Sequence, residues 1–194
     1  MLAIFSSLVL PVVIIYVIFF LGSFFGIYYL QGESTLIKAF QVSANPFLII
    51  ALGVISGLIV ILISIISTRL FRVIRELENE FRIILGRLSI FDIVVIAMIS
   101  SIAEETLFRG LLQPFLGLTI TSLIFGLLHF PIKQTLLPWT IFAIGMGFLL
   151  GGLYLYTESL ITPIIAHCLV NLVNIWRIET SVYQNTGISD YQKI

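Results

Sequence analysis

The run Ile90–Leu112, IFDIVVIAMISSIAEETLFRGLL, is long and apolar enough to cross a bilayer, yet its C-terminal half carries Glu104, Glu105 and Arg109. A membrane-spanning helix needs about 20 mainly apolar residues. A charge at mid-bilayer costs about 2.5–3.5 kcal/mol even on the lenient insertion scale, so such residues face a bundle interior and mark function by default. Glu105 and Arg109 are four apart, share a helix face and can pair. Glu104 lies about 100° further round the helix and lacks that arginine as its direct partner. A carboxylate out of water and incompletely paired is suited to take a proton as a general base.

The rest of the chain fits the same solvent. Of 194 residues, 59% are hydrophobic and 10% charged, against roughly 25% charged in a soluble domain. Charge-free runs place spans at about 4–30, 47–67, 90–112, 115–130, 138–156 and 160–177. The segment Arg69–Leu88 instead has helical amphipathic spacing, with Arg69, Arg72, Glu76 and Glu80 near one face. Leu70, Val73, Ile74, Leu77, Phe81, Ile84 and Leu88 fall on the other. It reads as a helix at the membrane surface or a polar extension of the second span. The expected fold is all-α, a polytopic transmembrane helix bundle of about six spans plus one amphipathic helix. Its expected parts are 1–89, two spans and the amphipathic helix; 90–178, a four-helix membrane core; and 179–194, a polar tail. Residues 1–32 lack a basic leading segment and read as a retained first span, not a signal peptide.

A net charge of zero offers no bulk electrostatic case for nucleic acid. The single cysteine, Cys168, excludes an internal disulfide framework and points about 100° away from its neighbour His167. Five arginines in 69–87, with Lys133, Arg177 and Lys193, fall on one side of a six-span chain and predict cytoplasmic termini. Gly145, Gly147, Gly151 and Gly152 are expected to form one small-residue packing face on the fifth span.

Both histidines of the chain lie in apolar runs. Phe125 and His129 share a face of the fourth span, as His167 and Asn171 do on the sixth. A helix presenting His and Asn side by side offers two polar contacts to a water, a carbonyl oxygen or a metal. Plainer readings stand beside this one. Glu105 and Arg109 could be a buried pair that fixes helix register, His129 a helix cap before Pro131, His167 and Asn171 interhelical glue, and Phe125 packing.

The set EExxxR (Glu104, Glu105, Arg109), FxxxH (Phe125, His129) and HxxxN (His167, Asn171) resembles the CAAX protease and bacteriocin-processing family, whose eukaryotic members are the Ras-converting CAAX endopeptidases. The resemblance covers about 90–177. It implies an intramembrane glutamic endopeptidase in which Glu104 activates water, His129 helps to hold that water, and His167 with Asn171 stabilises the oxyanion. Glu105, Arg109 and Phe125 would support the site. No cofactor and no metal are implied. The expected partners are a peptide or protein substrate in or at the membrane and the lipid bilayer, not nucleic acid, and the expected location is a bacterial cell membrane. Three other readings compete: a non-catalytic immunity or binding scaffold of the same family, a zinc protease using His129, His167 and Glu104, and a proton-coupled transporter, which lacks the expected repeat pattern.

Overall fold

Backbone polar groups inside lipid must be satisfied within the segment, which leaves helices for apolar runs of this kind. The computed structural model describes residues 9–42, 45–129 and 137–186, and every regular element among them is helical. In order these are α1 (Val9–Gln31), α2 (Glu33–Phe40), α3 (Pro46–Leu70), α4 (Arg72–Leu85), α5 (Ile90–Glu105), a π-helical segment (Thr106–Leu112), α6 (Gln113–Leu128), α7 (Leu137–Thr157) and α8 (Ile161–Thr186). Lys133, Pro131 and Lys193 lie outside the described residues.

Five stretches are long and apolar enough to cross a membrane: Val9–Gln31, Pro46–Leu70, Ile90–Leu128, Leu137–Thr157 and Ile161–Thr180. The sequence reading counted one more, and the difference lies in Ile90–Leu128. At 39 residues a straight helix would reach roughly 58 Å, about twice the hydrocarbon thickness. It does not run straight. Gly117 has φ 74 and ψ 169, a conformation open to glycine and costly for a residue with a Cβ. The rings of Phe108 and Phe125 are 4.8 Å apart, whereas continuous helix over 108–125 would separate them by roughly 25 Å. The stretch is therefore a hairpin, with α5 and the π segment running out and α6 running back beside them. The sequence placed this reversal at 113–114, a few residues before its actual site.

The bundle closes around a core drawn from most of the helices. Val60 and Ile61 of α3, Phe108 of the π segment, Phe125 of α6, Leu150 of α7 and Val170 of α8 are all buried in one cluster. A smaller cluster of Val9, Leu88 and Ile93 ties the start of α1 to that of α5. The start of α5 is fixed by a reciprocal cap: Asp92 N–H donates to Ser89 Oγ at 3.1 Å, and Ser89 N–H to Asp92 Oδ2 at 2.9 Å.

Several expectations need correction. Arg69 and Leu70 belong to the end of α3; extended backbone at Phe71 separates them from α4. The amphipathic helix is thus a distinct element. Its residues Ile74, Leu77, Phe81, Ile84 and Leu85 line a cavity inside the bundle, but Val73 and Ile83 are exposed. The polar stretch after α1 folds into α2, whose Ala39 carbonyl accepts a hydrogen bond from Leu160 N–H at 2.8 Å. The sixth expected span, about 160–177, corresponds to the apolar stretch Ile161–Thr180, and α8 itself continues to Thr186. The four glycines of α7 do not share one face. A Cβ at Gly147 would meet Ser122 backbone at 2.9 Å and one at Gly151 would strike Leu118 and Gln113, while Gly145 and Gly152 have nothing within 4 Å.

Candidate active site

The three motifs lie on three limbs of the bundle, and the fold brings them to one point. Reversal at Gly117 sets α6 against the π segment that follows α5, and α8 packs along α5. Glu104, Glu105, Arg109 and His167 are buried; His129 is partly open, and Asn171 lines the same cavity. The cavity holds about 490 Å³ and runs from this polar end along apolar side chains of α3, α4, α7 and α8.

Both carboxylate oxygens of Glu105 face a charged or polar side chain. Its Oε2 is ion-paired with Arg109 Nε at 3.1 Å, and its Oε1 faces His167 Nδ1 at 2.7 Å. Arg109 sits over the Phe125 ring, with Cζ 4.7 Å from the centroid, and Nη2 donates to the Gly147 carbonyl at 3.1 Å. Pairing was expected for Glu105 and Arg109; the reach on to His167 and Gly147 was not. A buried pair is tolerable only with such further partners.

Glu104 is left half open. Tyr16 O–H donates to its Oε1 at 2.7 Å, but Oε2 has no hydrogen-bond partner. This second oxygen faces His129 Nε2 at 4.0 Å and His167 Nε2 at 3.9 Å. The other nitrogen of each ring is engaged. His129 Nδ1 lies 2.6 Å from the Phe125 carbonyl, which can only accept, so Nδ1 donates. His167 Nδ1 donates likewise to Glu105, ionised in its pair with Arg109. In a neutral imidazole with Nδ1 protonated, Nε2 carries a lone pair. Glu104 Oε2 and the two Nε2 atoms converge at distances too long for direct contact.

Asn171 does not face that point alone: its Nδ2 donates to Ser100 Oγ at 3.1 Å. Phe125 does more than pack. It supplies the carbonyl that fixes His129 and the ring face that meets Arg109. His129 also caps the end of α6, through its N–H to the Gly126 carbonyl at 3.0 Å, so the capping reading and the site reading coexist. Its ring stands edge-on to Trp139, with centroids 5.0 Å apart. The spacing of 3.9–4.0 Å between the nitrogens and Glu104 Oε2 exceeds the roughly 3.3 Å between two ligands of a tetrahedral zinc. Among the described residues no three of His, Cys, Asp and Glu are gathered to hold a metal.

Sequence reading missed Tyr16, Ser100 and Trp139. It also missed the π-helical segment that begins directly after Glu105, an irregularity often found at functional sites.

A membrane-embedded helical bundle with a carboxylate and two imidazoles around one point defines the class. Residues 86–173 match the Rce1-like family, described as type II CAAX prenyl endopeptidase Rce1-like. That segment, which contains all three motifs, is similar to this family. A stretch of 92 residues is 39% identical to the uncharacterized protein YpbD of Bacillus subtilis (strain 168), covering 46% of this chain and 47% of that protein. The match thus spans about half the length of that curated relative. No solved structure matches the chain.

Proposed function

We propose that this protein is an intramembrane, glutamate-dependent endopeptidase that hydrolyses a peptide bond of a membrane-associated substrate, either prenylated or of the leader-peptide type. The observation that carries this reading is the unpartnered, buried Glu104 Oε2, 3.9 and 4.0 Å from two imidazole Nε2 atoms. A water between them donates one proton towards Glu104 and is aimed by the histidines. As Glu104 takes that proton, the water oxygen attacks the scissile carbonyl carbon. The second proton of the water passes to an imidazole Nε2, which turns that ring from acceptor into donor. The imidazolium and the Asn171 amide, whose other N–H donates to Ser100, then face the tetrahedral oxyanion. Collapse breaks the C–N bond, the proton on Glu104 goes to the leaving amine, and the imidazolium proton follows it to give the ammonium and restore the neutral ring. Glu105 and Arg109 keep His167 in the required tautomer, as Phe125 does for His129. The apolar length of the cavity suits a hydrophobic segment beside the scissile bond. The reading places the chain in a bacterial cell membrane with both termini in the cytoplasm; an extracytoplasmic reporter fused at residue 194 would overturn that orientation.

The test is cleavage by protein purified in detergent. Wild type, Glu104→Ala and His129→Ala are incubated with a fluorogenic prenyl-peptide and with leader peptides, with and without chelator. Chelator-insensitive cleavage lost in both variants is expected. Chelator-sensitive cleavage restored by zinc would favour a metalloprotease, and absence of cleavage on every peptide would favour a non-catalytic binding role.

A further inference from the structure

Tyr16 belongs to α1, outside the segment that matches the Rce1-like family. It is nevertheless the residue that donates to Glu104 Oε1, at 2.7 Å, across a sequence separation of 88. Its ring lines the catalytic end of the cavity, one turn after Val12 on the same face of α1. The position of α1 is fixed at both ends. At its start Val9 packs with Leu88 and Ile93. At its end Gln31 Nε2 donates to the carbonyls of Gly110 and Leu111 at 3.1 and 3.2 Å, which are carbonyls of the π segment. The hydroxyl is thus held against the carboxylate by packing that spans the whole helix.

The terminal torsion of a glutamate is broad and roughly two-fold, so an untethered carboxylate presents either oxygen in many directions. A hydroxyl bonded to one oxygen removes that freedom, and such charge-assisted contacts are short and strong. Here the tethered oxygen is Oε1, and the free one is aimed between His129 and His167.

We infer that Tyr16 is a positioning residue for the general base: its hydroxyl holds Glu104 Oε1 so that Oε2 faces the two imidazoles. This rests on the reading of Glu104 as the base that activates water. The N-terminal helix is then part of the active site and not only a membrane anchor.

The experiment compares wild type, Tyr16→Phe and, as a control, Tyr29→Phe, a residue exposed at the surface of the bundle. With a cleaved peptide, Tyr16→Phe is expected to lower kcat about 10- to 100-fold, the size of loss a misaligned reacting group causes. KM stays within roughly twofold, because binding contacts are untouched. Tyr29→Phe leaves both unchanged. A second readout does not need turnover: modification of Glu104 by a hydrophobic carbodiimide, mapped by mass spectrometry with Glu105 as internal reference. Freeing Oε1 in Tyr16→Phe raises labelling of Glu104 relative to Glu105 by about tenfold if the contact is worth about 1.4 kcal/mol. A labelling change in a protein that cleaves no peptide would support the positioning role while counting against the protease reading. Unchanged kcat in active enzyme, or unchanged labelling of Glu104, would overturn the inference.

Discussion

Glu104 and Glu105 are neighbours in sequence and opposites in environment. The Glu105 side of α5 is closed: Glu105 faces Arg109 and His167, and Arg109 reaches on to the Gly147 carbonyl. The Glu104 side opens on a cavity, with one oxygen tethered by Tyr16 and the other directed at two imidazoles. A single helical step separates a buried ion pair from the carboxylate proposed to react. Burial of charge therefore does not by itself mark a candidate base; on the proposed reading, an open oxygen beside a cavity does.

The difference can be probed from both sides. The largest expected effect is on activity: Glu104→Gln should lower kcat by about 1000-fold or more, while thermal unfolding in detergent shows little loss of stability, since a desolvated charge is removed. Next comes stability on the closed side. Arg109→Met leaves Glu105 buried without its cation and should cost about 3–5 kcal/mol, read as a large fall in Tm. Combining it with Glu105→Gln should recover part of that loss. Asn171→Ala, on the open side, should lower kcat by about 10- to 100-fold, as removal of an oxyanion donor does, with stability changed by about 1 kcal/mol. The smallest contrast is between glycines two residues apart on α7. Gly147→Ala drives a methyl into Ser122 backbone beside the carbonyl that Arg109 uses and should cost about 1–3 kcal/mol. Gly145→Ala, with open space around it, should be neutral or gain a few tenths of a kcal/mol. Equal Tm values for the two would show that the closed side does not depend on this approach of α6 and α7.

Much of the architecture was legible because lipid leaves few options. Apolar runs bounded by charges located the long helices, and the capping box at Ser89 agrees with the start expected near Ile90. The three motifs were legible because ionisable groups are costly in hydrocarbon and stand out. The structure brings all three to one end of one cavity, though the role of each residue there is a matter for the proposed chemistry. What escaped the sequence depends on contacts between distant residues. A single tyrosine in an apolar helix carries no signal until α1 packs on α5. The eight residues of α2 bury only Leu36 and Ala39, too few to show a period. The π segment leaves no pattern in TLFRGLL, although Thr106 Oγ1 bonding back to the Ile102 carbonyl at 2.7 Å marks where it begins. Gly53 and Gly57 in GVISG have the four-residue spacing of close helix packing. A Cβ at Gly53 would lie 2.8 Å from the Thr162 carbonyl, so these glycines let α3 approach α8. Tautomers, too, are a property of the fold: only the carbonyl of Phe125 and the carboxylate of Glu105 show which ring nitrogens hold the protons.

The most direct measurement follows the attacking oxygen. A cleavable peptide is hydrolysed in a single turnover in ¹⁸O-labelled water, and both the product and the peptide containing Glu104 are weighed. Attack by water that Glu104 deprotonates puts one ¹⁸O in the new carboxylate of the product and none in Glu104. Label found in Glu104, with an unlabelled product, would mean that the carboxylate itself attacked and formed an anhydride, and would contradict its role as a base.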